Sequence, residues 1–305
     1  MAPRHPVLDW IMLLALTVMW GSAFMLTKIA VTGLPPTIVA AGRLAIGALV
    51  LLVIAIAVAR RLPAGSGFWS FCIPIAFFGN ALPFSLISWG QGYIDSGLAG
   101  ILMAIMPLVT LGLAHYLVPG ETMTRYRAGG LLLGFIGVIL LMGPDALWGM
   151  RKDAAPLLPM LAVLGGALSY AVSAILARLR PAGSALSTAT ATTLIAMLLM
   201  LPVVPPIGDT PWPAEVTSSE LLAVALLGVF STAAAAVIYF RLIGSAGPAF
   251  VSQLNYLIPL WAITMGVLFL GETVQANHII YALLLILGGI LVTQLELTPR
   301  KPLAA

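Results

Sequence analysis

Charge is scarce in this sequence. Asp, Glu, Lys and Arg supply only 8% of its 305 residues, against 61% from the apolar types AVILMFWYC. A soluble domain carries about 25% charged residues because its surface must face water. A chain this poor in charge cannot cover itself with a hydrated surface, so the lipid bilayer is its solvent. Cysteine is scarcer still. Cys72 stands alone, which excludes an intrachain disulfide, a CxxC metal site and a redox pair. His5, His115 and His278 lack HExxH-type spacing, so no metal and no cofactor are expected. Basic runs with interleaved aromatics are missing too, and the formal charge of +4 falls largely at span ends, where it orients the chain. No nucleic-acid partner is expected.

Carboxylates are missing where a proton-driven exporter of cationic drugs would need one. All ten acidic residues (Asp9, Asp95, Glu121, Asp145, Asp153, Asp209, Glu215, Glu220, Glu272 and Glu296) fall in predicted loops or at span ends. An intramembrane carboxylate is the usual proton relay of such pumps. Its absence points to a neutral or zwitterionic solute and leaves facilitated diffusion and exchange open. Catalysis within the membrane would need a nucleophile–base pair or a metal set. Ser169 and Ser231 have no Asp, Glu or well-spaced His in the spans to activate them, so an enzyme is not expected.

What is present is apolar sequence in span-sized lengths. Crossing the hydrocarbon layer takes roughly 20 mostly apolar residues. Such stretches lie at about 10–32, 36–59, 68–91, 96–118, 126–143, 156–178, 184–205, 219–240, 247–270 and 275–294. Gly- and Pro-rich turns such as Gly33-Leu34-Pro35-Pro36 and Pro119-Gly120 separate them. The expected fold is all-α and integral to the membrane, with ten transmembrane helices. Lys and Arg favour cytoplasmic segments. With the N-terminus inside, inner segments collect Arg4, Arg60, Arg61, Arg125, Arg127, Arg178, Arg180, Arg241, Arg300 and Lys301, while outer loops hold only Arg151 and Lys152. Both termini are therefore expected in the cytoplasm, with the protein in the cell's inner (plasma) membrane.

The chain repeats itself. ILMAIMPLVTLGLAHYLVPGET, within 96–122, is echoed by SQLNYLIPLWAITMGVLFLGET, within 248–273. Pro107 matches Pro259, and Gly120-Glu121-Thr122 matches Gly271-Glu272-Thr273 with one residue of slack. Lys28 lies opposite Arg178, and Trp20 opposite Tyr170. The halves divide as 1–150 and 151–305. Five spans per half is odd, so the second copy must cross upside down, an arrangement common among transporters with a midplane site between the repeats.

These residues carry a family likeness. WGSAF at Trp20–Phe24, Arg43 early in the second span and the doubled Pro-to-GET pattern make the chain resemble the drug/metabolite transporter (DMT) superfamily, in particular its EamA-type ten-helix members. The likeness covers essentially the whole chain. It implies alternating access, with spans 1–4 and 6–9 around a central cavity and spans 5 and 10 at the periphery. Within the family the chain is most similar to exporters of amino acids, including the aromatic amino acid (YddG-like) branch. Carriers of drugs or other metabolites are the alternative, and a non-transporting scaffold is a more distant one.

Several polar residues in the predicted spans need an explanation, because amides and charges in hydrocarbon must meet partners, water or solute. Asn80, Ser88, Tyr170, Gln253, Asn255 and Tyr256 read either as interhelical glue or as a substrate-binding set, joined by the deep rings of Trp20 and Trp261. Trp89 and Tyr239 lie near span ends and are assigned to the interfacial belt. Pro107 and Pro259, near the middle of spans 4 and 9, bend their helices by removing a donor and crowding the carbonyl four residues back. They read as static kinks or as a symmetric pair of hinges. Arg43 and Lys28 lie within spans, where a cation costs roughly 2.5–3.5 kcal/mol to insert at the centre. Lys28 is close enough to an interface to snorkel. Arg43 is expected in an outer vestibule, where it supports the architecture or attracts a carboxylate. Ten spans can enclose a cavity in one chain, so a monomer suffices, with the bilayer and a small solute as its partners.

Overall fold

The computed structural model describes residues 6–58, 66–94, 99, 102–103, 105–120, 123–126, 128–130, 132–133, 135–136, 157–181, 183–204, 216–251, 253–254, 257–258, 260–261 and 264. Among these every regular element is helical: α1 (Val7–Gly33), α2 (Pro36–Ala57), α3, α4 (Met106–Leu117), α5 (Leu157–Leu179), α6 (Ala185–Met200), α7 and the short α8 (Pro248–Val251). Helix α3 runs through Ser66–Ala76, a π-helical turn at Phe77–Ala81, and Leu82–Tyr93. Helix α7 is built the same way, from Ser218–Leu226, a π-helical stretch at Leu227–Ala234, and Ala235–Ala246. Helices α1, α2, α3, α5 and α7 are long and apolar enough to cross a membrane, while α4 and α6 are shorter. The predicted fifth span is described only in pieces, and the tenth lies outside the described residues.

Local chemistry sets the helix ends. Leu34 is extended before Pro35, and Pro36 opens α2 with φ already suited to a first turn. Thr217 and Glu220 form a capping box on α7, with the Thr217 N–H donating to Glu220 Oε2 at 2.6 Å. Gly247 joins α7 to α8 at φ 83°, a left-handed conformation that glycine adopts without a Cβ clash.

Helix directions follow from the contacts at their ends. At one end of the bundle Thr32 of α1 donates to Glu220 of α7 at 3.5 Å; at the other, Ser245 of α7 donates to Asp9 of α1 at 2.9 Å. α1 and α7 are therefore antiparallel. Lys28 Nζ donates to the Gln91 carbonyl at 3.1 Å, which places the C-terminal ends of α1 and α3 together. Gly90, near that end of α3, meets Val163 and Pro159 at the start of α5, so α5 runs against α3. It follows that α1 is antiparallel to α5, and α3 to α7. The two π-helical segments also start at the offset that sets Lys28 opposite Arg178, since Leu227 stands to Phe77 as Arg178 does to Lys28.

Small residues let the helices close. A Cβ on Gly47 of α2 would stand 2.8 Å from Thr232 Cγ2, and one on Gly228 of α7 2.6 Å from Ile46 Cβ. In lipid, where no hydrophobic effect drives helix to helix, such backbone approach is a main source of association. Three mutual contacts add to it at mid-span. Trp20 Nε1 donates to the Ser231 carbonyl at 3.1 Å, Ser231 Oγ to the Met19 carbonyl at 2.8 Å, and Arg43 Nε to Thr232 Oγ1 at 3.1 Å.

Candidate functional site

Both halves contribute to one cavity, which holds roughly 1120 Å³ of empty space including its open mouth. Helix periodicity builds its wall. Asn80, Phe84, Ile87, Ser88 and Gln91 recur at helical spacing along one face of α3, and Trp20, Ala23, Phe24 and Thr27 along one face of α1. Tyr170 and Ser173 come from α5, Thr192 from α6, Ser231, Thr232, Tyr239 and Phe240 from α7, and Arg43 from α2. Met103, Met106, Val251, Leu254 and Ile258 add to the apolar lining. No acidic side chain lines the cavity among the described residues.

The π-helical turns shape the polar part of this wall. In α3, Pro83 has no N–H, and Leu82 N–H reaches back five residues to the Phe77 carbonyl. A turn widened in this way leaves carbonyls for other donors. Phe78 O accepts from Ser169 Oγ at 2.7 Å. In α7, Ala235 N–H reaches Phe230 O, and Thr232 Oγ1 donates to Leu227 O at 2.9 Å. The hydroxyl protons of Ser169 and Ser231 are thus committed to backbone carbonyls, as befits groups that tie helices together.

Aromatic rings form much of the remaining wall. Trp20 and Tyr239 lie 5.5 Å apart between centroids, and Phe84 and Tyr170 lie 6.4 Å apart near edge-to-face. Arg43 Cζ sits 3.8 Å above the Phe84 ring centre, a cation–π geometry. Only 6% of the Arg43 surface is exposed.

Of the residues singled out from sequence, Trp20, Asn80, Ser88, Tyr170 and Arg43 come together on this wall. Arg43 carries its charge to Thr232, in the π-helical segment midway along α7. Lys28 is off the wall and donates to Gln91 O near the C-terminal end of α3. Gln253 is buried, but Val251, Leu254 and Ile258 line the cavity and it does not. Trp261 packs over Gly21 and donates to Ser22 Oγ at 2.9 Å, so it braces α1 without reaching the wall. Pro107 stands in the first turn of α4, just after a turn at Ile105 that follows helical residues at 102–103. Asn255, Tyr256 and Pro259 lie outside the described residues.

Sequence reading passed over Gln91, Ser173 and Thr192, and it assigned Tyr239 to the interfacial belt. Gln91 follows Ser88 by three positions and shares its helix face, a signal present in the sequence. Tyr239 carried none, since it lies close to a predicted span end yet turns inward onto Trp20.

Comparisons with known proteins agree with this architecture. The model of the EamA-like transporter family matches residues 9–143 and 157–294. The uncharacterized transporter YoaV of Bacillus subtilis is 25% identical over 276 residues, 90% of this chain and 93% of its own length. The uncharacterized inner membrane transporter YedA of Escherichia coli is 26% identical over 306 residues, covering 96% and 93%. A protein of known crystal structure superposes with a TM-score of 0.73 at 20% identity, covering 94% of this chain and 98% of that one, a likeness of fold alone.

Proposed function

We propose that this chain, which belongs to the EamA-like transporter family, exports small neutral or zwitterionic metabolites by alternating access, with aromatic and other neutral amino acids as the leading cargo. One observation carries the reading: both halves build a single cavity whose wall is apolar and aromatic, dotted with hydroxyls and amides, and free of carboxylate among the described residues. Such a wall suits a solute with an apolar body and few polar groups. A cationic drug would be expected to meet a carboxylate there, and a polyanionic sugar phosphate several cations. Carriers for other uncharged metabolites remain the second reading. Trp20, Asn80, Ser88 and Tyr170 are the proposed contacts.

The rest of the architecture follows as part of the same proposal. Ten helices form two inverted halves, 1–150 and 151–305, with both termini in the cytoplasm and one chain sufficient for transport. The antiparallel pairs α1/α5 and α3/α7, and the π-helical segments at matching offsets, support inversion.

The test is uptake of radiolabelled aromatic, aliphatic, hydroxylic and charged amino acids into proteoliposomes, with empty liposomes as control. Saturable uptake of neutral members is expected, and a comparison with and without a pH gradient separates facilitated from coupled transport. No uptake across the panel would remove amino acids as the cargo.

A further inference from the structure

We infer that Arg43 reads the carboxylate of the transported solute, an assignment that rests on the transport function proposed above and narrows its cargo to compounds with one carboxylate on an apolar or aromatic body. Arg43 is 6% exposed and lines the cavity. Its one hydrogen bond among the described residues runs from Nε to Thr232 Oγ1 at 3.1 Å. Thr232 gives its own proton to the Leu227 carbonyl at 2.9 Å, so the hydroxyl is a neutral acceptor that orients the guanidinium and leaves its charge uncompensated. Phe84, 3.8 Å beneath Cζ, fixes the plane of the group. Among the described residues no hydrogen bond engages its terminal NH2 groups.

A buried cation without a counter-anion is expensive, and the expense falls when a paired, hydrogen-bonded anion arrives. No acidic side chain on the described wall supplies one. A planar guanidinium held by Nε offers two parallel N–H donors, which match the two oxygens of a carboxylate. A single cation also fits a single negative charge better than a phosphate. Phe84, Tyr170, Trp20 and Tyr239 line the same cavity, rings suited to an apolar or aromatic side chain. Arg43 is thus the specificity-determining residue, and the rings accept variation in the rest of the solute.

The test takes each amino acid that enters wild-type proteoliposomes and competes its uptake with its own amide, its decarboxylated amine and its deamino acid. The deamino acid is expected to compete. The amide and the amine should compete about 10- to 100-fold more weakly, the weight of one or two charge-assisted hydrogen bonds. Arg43→Gln should abolish the preference, and Arg43→Lys should restore part of it, with monodispersity in detergent as the folding control. If Arg43→Gln does not fold, the wild-type competition series decides alone. Equal competition by amide and acid, or an intact preference in folded Arg43→Gln, would overturn the assignment and leave the transport function standing. No uptake of any amino acid would overturn both.

Discussion

Helices α3 and α7 contain the same irregularity but keep it in different ways. In α3 the π-helical turn lies between Pro74 and Pro83, so missing backbone donors bring it about locally, and one outside group, Ser169, caps the carbonyl of Phe78. In α7 the segment Leu227–Ala234 contains no proline. It is held instead from other helices, by Trp20 and Met19 of α1 through Ser231 and by Arg43 of α2 through Thr232. One backbone shape can thus be written in the local sequence or imposed by neighbours. The imposed version accepts the hydrogen bond of the buried Arg43, and perturbing it is expected to cost more.

Substitutions sharpen the contrast. Gly228→Leu should do most damage, since even its Cβ would stand 2.6 Å from Ile46 Cβ and 3.2 Å from the Arg43 carbonyl. Overpacking of this kind costs about 1–3 kcal/mol or more, and thermal unfolding in detergent should show a strongly lowered midpoint or too little monodisperse protein to measure. Thr232→Val keeps the shape but removes the acceptor for Arg43 Nε, so about 2 kcal/mol should be lost. Ser169→Ala, the matching deletion on α3, removes one neutral hydrogen bond and should cost about 1 kcal/mol. Equal losses for Thr232→Val and Ser169→Ala would break the distinction between the two helices. Tyr116→Ala, at a residue 83% exposed on α4, should fall within about 0.5 kcal/mol of wild type.

Residue chemistry made the membrane fold legible, because a 61% apolar chain with 8% charge has no other solvent to fold in. Span positions were legible from the same pattern, and α1, α2, α3, α5 and α7 lie where apolar sequence put them. Trp20, Asn80, Ser88 and Tyr170 were legible as polar or amphipathic groups too deep in a span to be idle. Helix rotation was not. Successive residues turn by about 100° around a helix, so sequence cannot tell that Gln253 misses the wall while Leu254 meets it, or that Trp261 turns to Ser22. The partner of Arg43 escaped for a related reason. The charge lies a side chain's length from the Arg43 Cα, and the partner, Thr232, is 189 positions away. The α3 turn could be read from its prolines; the α7 turn could not, because distant residues hold it.

The cavity as the transport path can be tested directly with the single cysteine. Cys72 is buried away from the cavity wall, so Cys72→Ala provides a thiol-free background into which Asn80→Cys is introduced. Proteoliposomes holding this variant are treated with a small maleimide, and alkylation and amino-acid uptake are followed together. If solute crosses through this cavity, uptake should fall in step with alkylation, and a transported amino acid should slow the reaction by occupying the same space. Complete alkylation with uptake unchanged would contradict it.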